Sequence, residues 1–318
     1  SPFDWLLPSP RLRMASRVTN KESPSITNQE SAVTVEDDDI LYVNLEPCCH
    51  QGKTPPCTDL IIEKGIKNVV FGMFDPNPIV AGQGIEILRS AGIKVIGPIE
   101  RASCEWFNRG FVSLMKNKRP WITLKRAQTK DGRIANKDLP AGVLTKVGGS
   151  PLKITSPEQD AWSHEWLRAK HDAILVGVET IVRDDPKLTV RMPADRSVKH
   201  GGSNKKIDQI NPLRIVLDPN FRIPENAKIL SGELAYGTII ITNQSDSEKK
   251  QILEERGVRI WGCSLEDDHF DFHLLWELLT TPVNSFHGIA SILVEGGQKT
   301  WNTFKNAEAI DEEVVLVE

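Results

Sequence analysis

The sequence has no histidine before His50, although it contains seven histidines in 318 residues. It has no run of the ~20 apolar residues that span a bilayer, so no transmembrane segment is predicted. Its five cysteines are too few and too clustered for a secreted disulfide framework, and they favour a reducing compartment: the cytoplasm, or a plastid in a plant or alga. A net charge of -4 argues against nucleic acid as a partner, since binding to phosphates needs a basic surface.

The length and composition predict about two globular domains, with 39% hydrophobic and 26% charged residues. Residues 1–38 are polar and irregular, and we expect a disordered or non-homologous segment there. The charged stretch from Lys116 to Pro120 predicts a domain boundary. The predicted domains are therefore residues 39–117 and 118–318.

Short apolar runs alternate with amphipathic stretches after residue 39, which is typical of a mostly parallel sheet with helical crossovers. The fold class predicted for both domains is α/β. Strands are predicted at residues 40–45, 68–73, 93–96, 121–126, 173–177, 213–217, 238–241 and 289–294. Helices are predicted at residues 58–64, 84–91 and 101–116 and from Ser156 onward, where a cap residue precedes Pro157.

Cys48 and Cys57 have the residue type that binds zinc in nucleobase deaminases. Such a site also needs a histidine ligand and a glutamate that transfers protons. No His-x-Glu precedes the cysteines, and residues 28–30 (Asn-Gln-Glu) match it only in order. The catalytic residue of a deaminase is therefore unknown in this chain, and Glu46 stands in the wrong place for that role.

Several motifs resemble the bifunctional deaminase/reductases of riboflavin biosynthesis, the RibD family. They are residues 42–57, in which eight residues separate Cys48 from Cys57, residues 75–78, 82–84 and 124–133. The resemblance runs from about Leu41 to the end of the chain. It implies a partial cytidine-deaminase-like α/β domain followed by a dihydrofolate-reductase-like α/β domain that is expected to continue beyond Glu318. It also implies Cys48 and Cys57 as Zn²⁺ ligands, with the metal weakly held or absent.

Residues 172–191 and 293–297 resemble the nicotinamide-binding core of the family. Each joins a buried strand to a glycine turn and a helix start, which places backbone N–H groups toward an anion. NADPH is the implied cofactor. Its implied contacts are Ala127, Thr180, Asp184, Gly296, Gly297, Gln298, Lys299 and Thr300. Glu179 stands where the family usually has glycine and Lys153 where it often has an aromatic residue, so both are expected to weaken cofactor binding.

The implied substrate contacts are Arg168, Leu188, Arg191 and Glu295. Arginine suits a substrate phosphate because its planar fork donates two hydrogen bonds. The resemblance thus implies reduction of 5-amino-6-(5-phosphoribosylamino)uracil, a small pyrimidine ribose-phosphate, with no membrane partner and a homodimer formed through the reductase domain. Two alternatives stay open: a full bifunctional enzyme represented by a truncated sequence, and a non-catalytic regulatory or scaffold homologue.

Overall fold

The computed structural model describes residues 35–52, 54–78, 80–130, 154–191, 211–244, 248–267, 269–283 and 286–317. The chain divides into two compact units. The first contains the described residues up to Lys118 together with those between 282 and 287, and the second contains the described residues from Arg119 to Thr281 and from Gly288 onward. Three stretches with sequence-based interpretations, residues 28–30, 131–133 and Lys153, lie outside the described residues.

The first unit contains three parallel strands in the order β1-β2-β3. Two helices follow the first two strands, and their apolar sides cover one face of the sheet around Ile61, Phe71 and Leu88. The elements are β1 Ile40–Leu45, α1 Cys57–Glu63, β2 Asn68–Met73, α2 Gln83–Ser90 and β3 Lys94–Ile96.

The helix predicted at residues 101–116 is two helices in the structure, α3 Arg101–Phe107 and α4 Arg109–Asn117. The break occurs at Asn108, whose side-chain amide donates to the Cys104 carbonyl at 2.8 Å. Asparagine side chains compete with the helix for such carbonyls, which explains why the helix ends there. The predicted helical stretch is therefore confirmed, but the break at Asn108 is not part of the prediction.

The second unit contains a seven-stranded parallel sheet in the order β12-β4-β11-β5-β6-β7-β8. Its strands are β4 Trp121–Gln128, β5 Ala173–Gly177, β6 Leu213–Leu217, β7 Thr238–Thr242, β8 Arg259–Gly262, β11 Ser291–Val294 and β12 Glu312–Val317. Two short strands, β9 Leu265–Glu266 and β10 His269–Phe270, form a separate antiparallel pair.

Helices of the second unit connect these parallel strands, as the alternation predicts. Ser156 forms a capping box with Gln159 at the start of the first one. They are α5 Pro157–Trp162, continued by a π-helical turn Ser163–Leu167 and a 3-10 turn Arg168–Lys170, then α6 Val178–Asp184, a 3-10 turn Lys228–Leu230, α7 Glu233–Tyr236, α8 Glu248–Glu255, α9 Phe272–Thr280 and α10 Gln298–Asn306.

Strand order places a crevice between the ends of β5 and β11. These neighbours continue in opposite directions, because the chain leads from β5 to β6 on one side and from β11 to β12 beyond β4 on the other. Ligands of parallel α/β sheets bind outside the carboxyl ends of strands at such a switch point. Among the described residues, no helix combines the length and apolar character that crossing a membrane requires.

Candidate active site

The turns after β5 and β11 contact each other across the crevice. A Cβ on Gly177 would lie 2.6 Å from Thr300 Oγ1, and a Cβ on Gly296 would lie 3.1 Å from Thr180 Oγ1. Gly296 also has φ +129°, a backbone conformation that side chains rarely adopt. Glycine is therefore required at this turn, and the predicted contacts Thr180, Gly296 and Thr300 form one small surface.

Helix α10 begins at this surface. Its N-cap, Gly297, provides no side-chain hydrogen bond, and a Cβ there would meet no atom within 4 Å. The first N–H groups of a helix have no intrahelical acceptor, and those of Gln298, Lys299 and Thr300 therefore suit an anion. The start of α10 thus forms an open backbone cradle of N–H groups, without a side-chain cap.

Of the other two predicted cofactor residues, Ala127 lies at the same edge of the sheet, and Asp184 lies at the far end of α6. Leu124 pairs with Val294, the last residue of β11, so Ala127 extends three residues past the end of that strand. Asp184 ends α6 and is exposed, and desolvation raises the pKa of its carboxyl. The glycine turn, the start of α10 and their location at this edge of the sheet fit the pyrophosphate of a dinucleotide such as NADPH.

The carboxylate of Glu179, which was expected to repel the cofactor, is paired with two arginines. Its Oε1 accepts from Arg183 Nε at 2.8 Å and its Oε2 lies 3.4 Å from Arg222 Nη2. The hydrogen bond from Arg183, with further help from Arg222, lowers the pKa of this half-exposed carboxyl. Two arginines already balance the charge that the sequence led us to expect would repel the cofactor.

Arg168 and Glu295 form a two-bond ion pair beside the crevice. Arg168 Nε donates to Oε1 at 3.0 Å and Nη2 to Oε2 at 2.6 Å, while Nη1 donates to the Thr189 carbonyl at 3.1 Å. Burial acts to raise the pKa of Glu295, but Arg168 and Lys125 outweigh it and lower the pKa overall. Glu295 is therefore a fixed carboxylate at the end of β11.

Leu188 and Arg191, the remaining predicted substrate residues, lie on the segment after α6. Leu188 is buried and has φ +50°, which is unusual for a leucine. The backbone N–H of Arg191 donates to His164 Nδ1 at 3.1 Å, so His164 of the π-helical turn joins the group. Such turns often occur at functional sites. Sequence reasoning did not select His164, although its position four residues before Arg168 on a helix was a usable signal.

Cys48 and Cys57 lie together in the first unit. The Cys57 N–H, at the start of α1, donates to Cys48 Sγ at 3.3 Å. A hydrogen bond from the Cys57 thiol lowers the pKa of Cys48 to about 6, and the same bond raises the pKa of Cys57. These hydrogen bonds favour the thiolate form of Cys48.

A catalytic zinc does not fit the residues that the structure describes around these two thiols. No group of three or more His, Cys, Asp or Glu side chains with metal-ligand geometry occurs among them. Glu46 is buried and accepts N–H groups of Asp75, Gly82 and Gly84 at 2.9–3.2 Å, so it holds a loop instead of transferring protons. Two thiols alone make an incomplete site.

Comparison with known proteins agrees with both units. The model of the RibD C-terminal domain matches residues 120–318, and that of the cytidine and deoxycytidylate deaminase zinc-binding region matches residues 17–73. The chain belongs to the RibD family. A RibD relative from Aquifex aeolicus is 40% identical over 282 residues, covering 87% of this chain and 68% of the relative. One from Actinobacillus pleuropneumoniae is 36% identical, covering 80% of this chain and 60% of the relative.

Solved RibD structures share the fold. Acinetobacter baumannii RibD matches with a TM-score of 0.70 at 30% identity, over 87% of this chain and 68% of that one. A deaminase/reductase from Thermotoga maritima matches with a TM-score of 0.60 at 32% identity, over 86% and 66%. The predicted fold class, a cytidine-deaminase-like domain followed by a reductase domain, is confirmed. This chain spans about two thirds of the length of these RibD proteins.

Proposed function

We propose that this RibD-family chain is an NADPH-dependent reductase of riboflavin biosynthesis that reduces 5-amino-6-(5-phosphoribosylamino)uracil to its ribitylamino product. The observation that carries the proposal is one edge of the seven-stranded sheet. The uncapped start of α10 and the Arg168–Glu295 pair adjoin there, because Glu295, Gly296 and Gly297 follow β11 directly. An anion cradle next to a charged substrate pocket is what reduction of a phosphorylated sugar by a dinucleotide requires.

The cofactor would be held by the turns after β5 and β11. The N–H groups of Gln298, Lys299 and Thr300 would contact its phosphates, and Thr180 lies against the Gly296 turn. Ala127 borders the same edge, and Ala127 and Asp184 are proposed as further contacts. NADPH supplies a hydride when it is bound, so the protein need provide only binding, orientation and charge.

The substrate would be oriented by charges of opposite sign. Glu295 accepts both of its hydrogen bonds from Arg168, which fixes the carboxylate, so its remaining lone pairs can accept from substrate N–H or O–H groups. Arg191 is proposed to bind the phosphate, and Leu188 to contact the ribose chain. In the open-chain form of the substrate, the C1=N bond accepts a hydride at carbon and a proton at nitrogen, giving the ribitylamine. Positioning of C1 is the contribution asked of these residues.

No deaminase step is assigned to the first unit. Cys48 and Cys57 remain proposed Zn²⁺ ligands, but a metal held by them alone would be weak. We propose that residues 39–117 form the partial deaminase-like domain and residues 118–318 the reductase domain, that the substrate is a small molecule found in the cytoplasm, and that the reductase domain forms a homodimer.

The proposal is tested by measuring NADPH oxidation by the purified chain with and without the phosphoribosylamino substrate, before and after treatment with a chelator. Substrate-dependent oxidation that survives chelation is expected, because no proposed reductase residue is a metal ligand. Absence of oxidation with either preparation would remove the proposed activity. Loss on chelation would assign the reaction to a metal and contradict the roles given above.

A further inference from the structure

His164 lies close to two arginines of the proposed site, Arg168 and Arg191. It is buried in the π-helical turn, and both of its ring nitrogens face donors of one residue, Arg191. The backbone N–H of Arg191 donates to Nδ1 at 3.1 Å, and Arg191 Nη2 lies 3.1 Å from Nε2. Among the described residues, the ring nitrogens of His164 have no hydrogen-bond partner other than Arg191.

These two contacts cannot both be hydrogen bonds. A neutral imidazole has one acceptor nitrogen and one N–H, and a protonated ring has no acceptor. Burial, together with Arg168 and Arg191, lowers the pKa of His164 to about 4, so the ring is neutral at physiological pH. Because Nδ1 accepts from the backbone, Nε2 carries the proton, and Nε2–H and the Arg191 guanidinium are two donors side by side.

Two donors 3.1 Å apart can share one acceptor that lies about 2.8–3.0 Å from each. Among the described residues, no carboxylate forms an ion pair with Arg191, whereas Arg168 is already neutralised by Glu295. The Arg191 guanidinium is therefore a cation with no carboxylate partner among the described residues, and an anion suits the position between it and Nε2–H. Asp160 and Glu295 act on the His164 ring only at longer range, as charges that raise its pKa slightly.

We propose that His164 Nε2–H and the Arg191 guanidinium together bind one phosphate oxygen of the substrate, so that His164 is a direct substrate-binding residue. This rests on the proposed function, because the phosphoribosyl group supplies the phosphate. In this proposal Nδ1 positions Arg191 by accepting from its backbone N–H, whereas Nε2–H binds the phosphate. His164 therefore does more than position Arg191. A substitution that keeps the hydrogen-bonding function of only one ring nitrogen can therefore separate the two roles.

Two isosteric variants make that separation. His164→Asn places an amide oxygen near the position of Nδ1 and keeps the acceptor for the Arg191 N–H, but it removes the Nε2 donor. His164→Gln places an amide N–H near the position of Nε2 and removes the Nδ1 acceptor. Calorimetric titration of each full-length variant with inorganic phosphate measures the affinity of the anion site without requiring activity. Thermal unfolding and NADPH titration of the same samples check that they are folded.

The proposal predicts that His164→Asn weakens phosphate binding about tenfold, the loss of one hydrogen bond to a charged group, while His164→Gln stays within about threefold of wild type. His164→Asn should also raise the KM for the phosphorylated substrate but not for its dephosphorylated form. The reverse order of the two variants, equal losses, or no loss in either overturns the proposal. If the predicted order is found but wild type reduces no substrate, the anion site stands and the proposed reductase function fails.

Discussion

Arg168 donates two parallel hydrogen bonds to Glu295, across 127 residues of sequence. The pair joins the segment before β5 to the end of β11, the two neighbouring strands that border the crevice. Both side chains are largely withdrawn from solvent, at 15% and 11% exposure. The pair therefore links the folding of the sheet to the geometry of the proposed substrate site.

Glu295→Gln should reduce the free energy of unfolding by about 3–5 kcal/mol, because it leaves the Arg168 guanidinium buried without a counter-charge. Denaturant unfolding measures the change. Glu179→Ala is the matched control: it also removes a carboxylate from arginine partners, here Arg183 and Arg222, but at an exposed site, and should cost less than about 1 kcal/mol. Similar losses in the two variants would show that the Arg168–Glu295 pair is energetically an ordinary surface contact.

Gly296→Ala should raise the Kd for NADPH at least about tenfold and lower stability by about 1–3 kcal/mol, since its backbone has φ +129° and its Cβ would press on Thr180. Gly297→Ala, where φ is -81° and a Cβ meets open space, should leave stability within about 0.5 kcal/mol of wild type. Fluorescence titration with NADPH and thermal unfolding compare the two. Unchanged NADPH affinity in Gly296→Ala would place the cofactor elsewhere.

Glu179→Ala should change NADPH affinity by less than about twofold, because Arg183 and Arg222 already neutralise the carboxylate. Removing the carboxylate leaves Arg183 and Arg222 without this partner but does not alter the backbone cradle beside Thr180. NADPH titrations at low and high ionic strength provide the check. A gain in affinity that grows as salt is removed would show that the carboxylate repels the cofactor after all.

Stability should fall between about pH 6.5 and about pH 4 through His164. The unfolded ring binds a proton near pH 6.5, whereas the folded ring stays neutral down to about pH 4. The unfolded state therefore binds more protons in this window, and the free energy of unfolding rises with pH. His164→Gln should lose about 1–3 kcal/mol less over the same range in denaturant titrations. Parallel pH profiles would mean that the folded ring titrates normally.

Much of the fold could be predicted because its strands are continuous apolar runs bounded by turn residues. Ala173–Gly177 and Thr238–Thr242 are of this kind, and their positions were correct to within one residue. Two strands at opposite edges of the sheet, β8 and β12, were not predicted. β8 has four residues including an arginine, and β12 begins with two glutamates whose partners, Thr123 and Arg126, lie on the neighbouring β4. Cross-strand partners of this kind cannot be seen in local sequence.

The candidate site shows the same limit. Resemblance selected Arg168 and Glu295 one by one, but their direct pairing depends on strand order, which the sequence alone did not supply. Glu179 was expected to weaken cofactor binding because of its position in the motif. Arg183 follows it by four residues on the same helix, but its second partner, Arg222, is brought close only by the fold. His164 was not predicted because its contact with Arg191 spans 27 residues of sequence and forms only in the folded chain.

The most direct test of the proposed reductase function measures the transfer of deuterium from NADPH, labelled at C4 of the nicotinamide, to 5-amino-6-(5-phosphoribosylamino)uracil. Wild type should form one ribitylamino product per NADPH oxidised, with deuterium at C1. Arg191→Ala should give the same labelled product with a KM for substrate raised about ten- to a hundredfold and an unchanged Kd for NADPH, because it loses a charge-assisted phosphate contact. Unlabelled product, no NADPH oxidation by wild type, or a KM unaffected by Arg191→Ala would contradict the account.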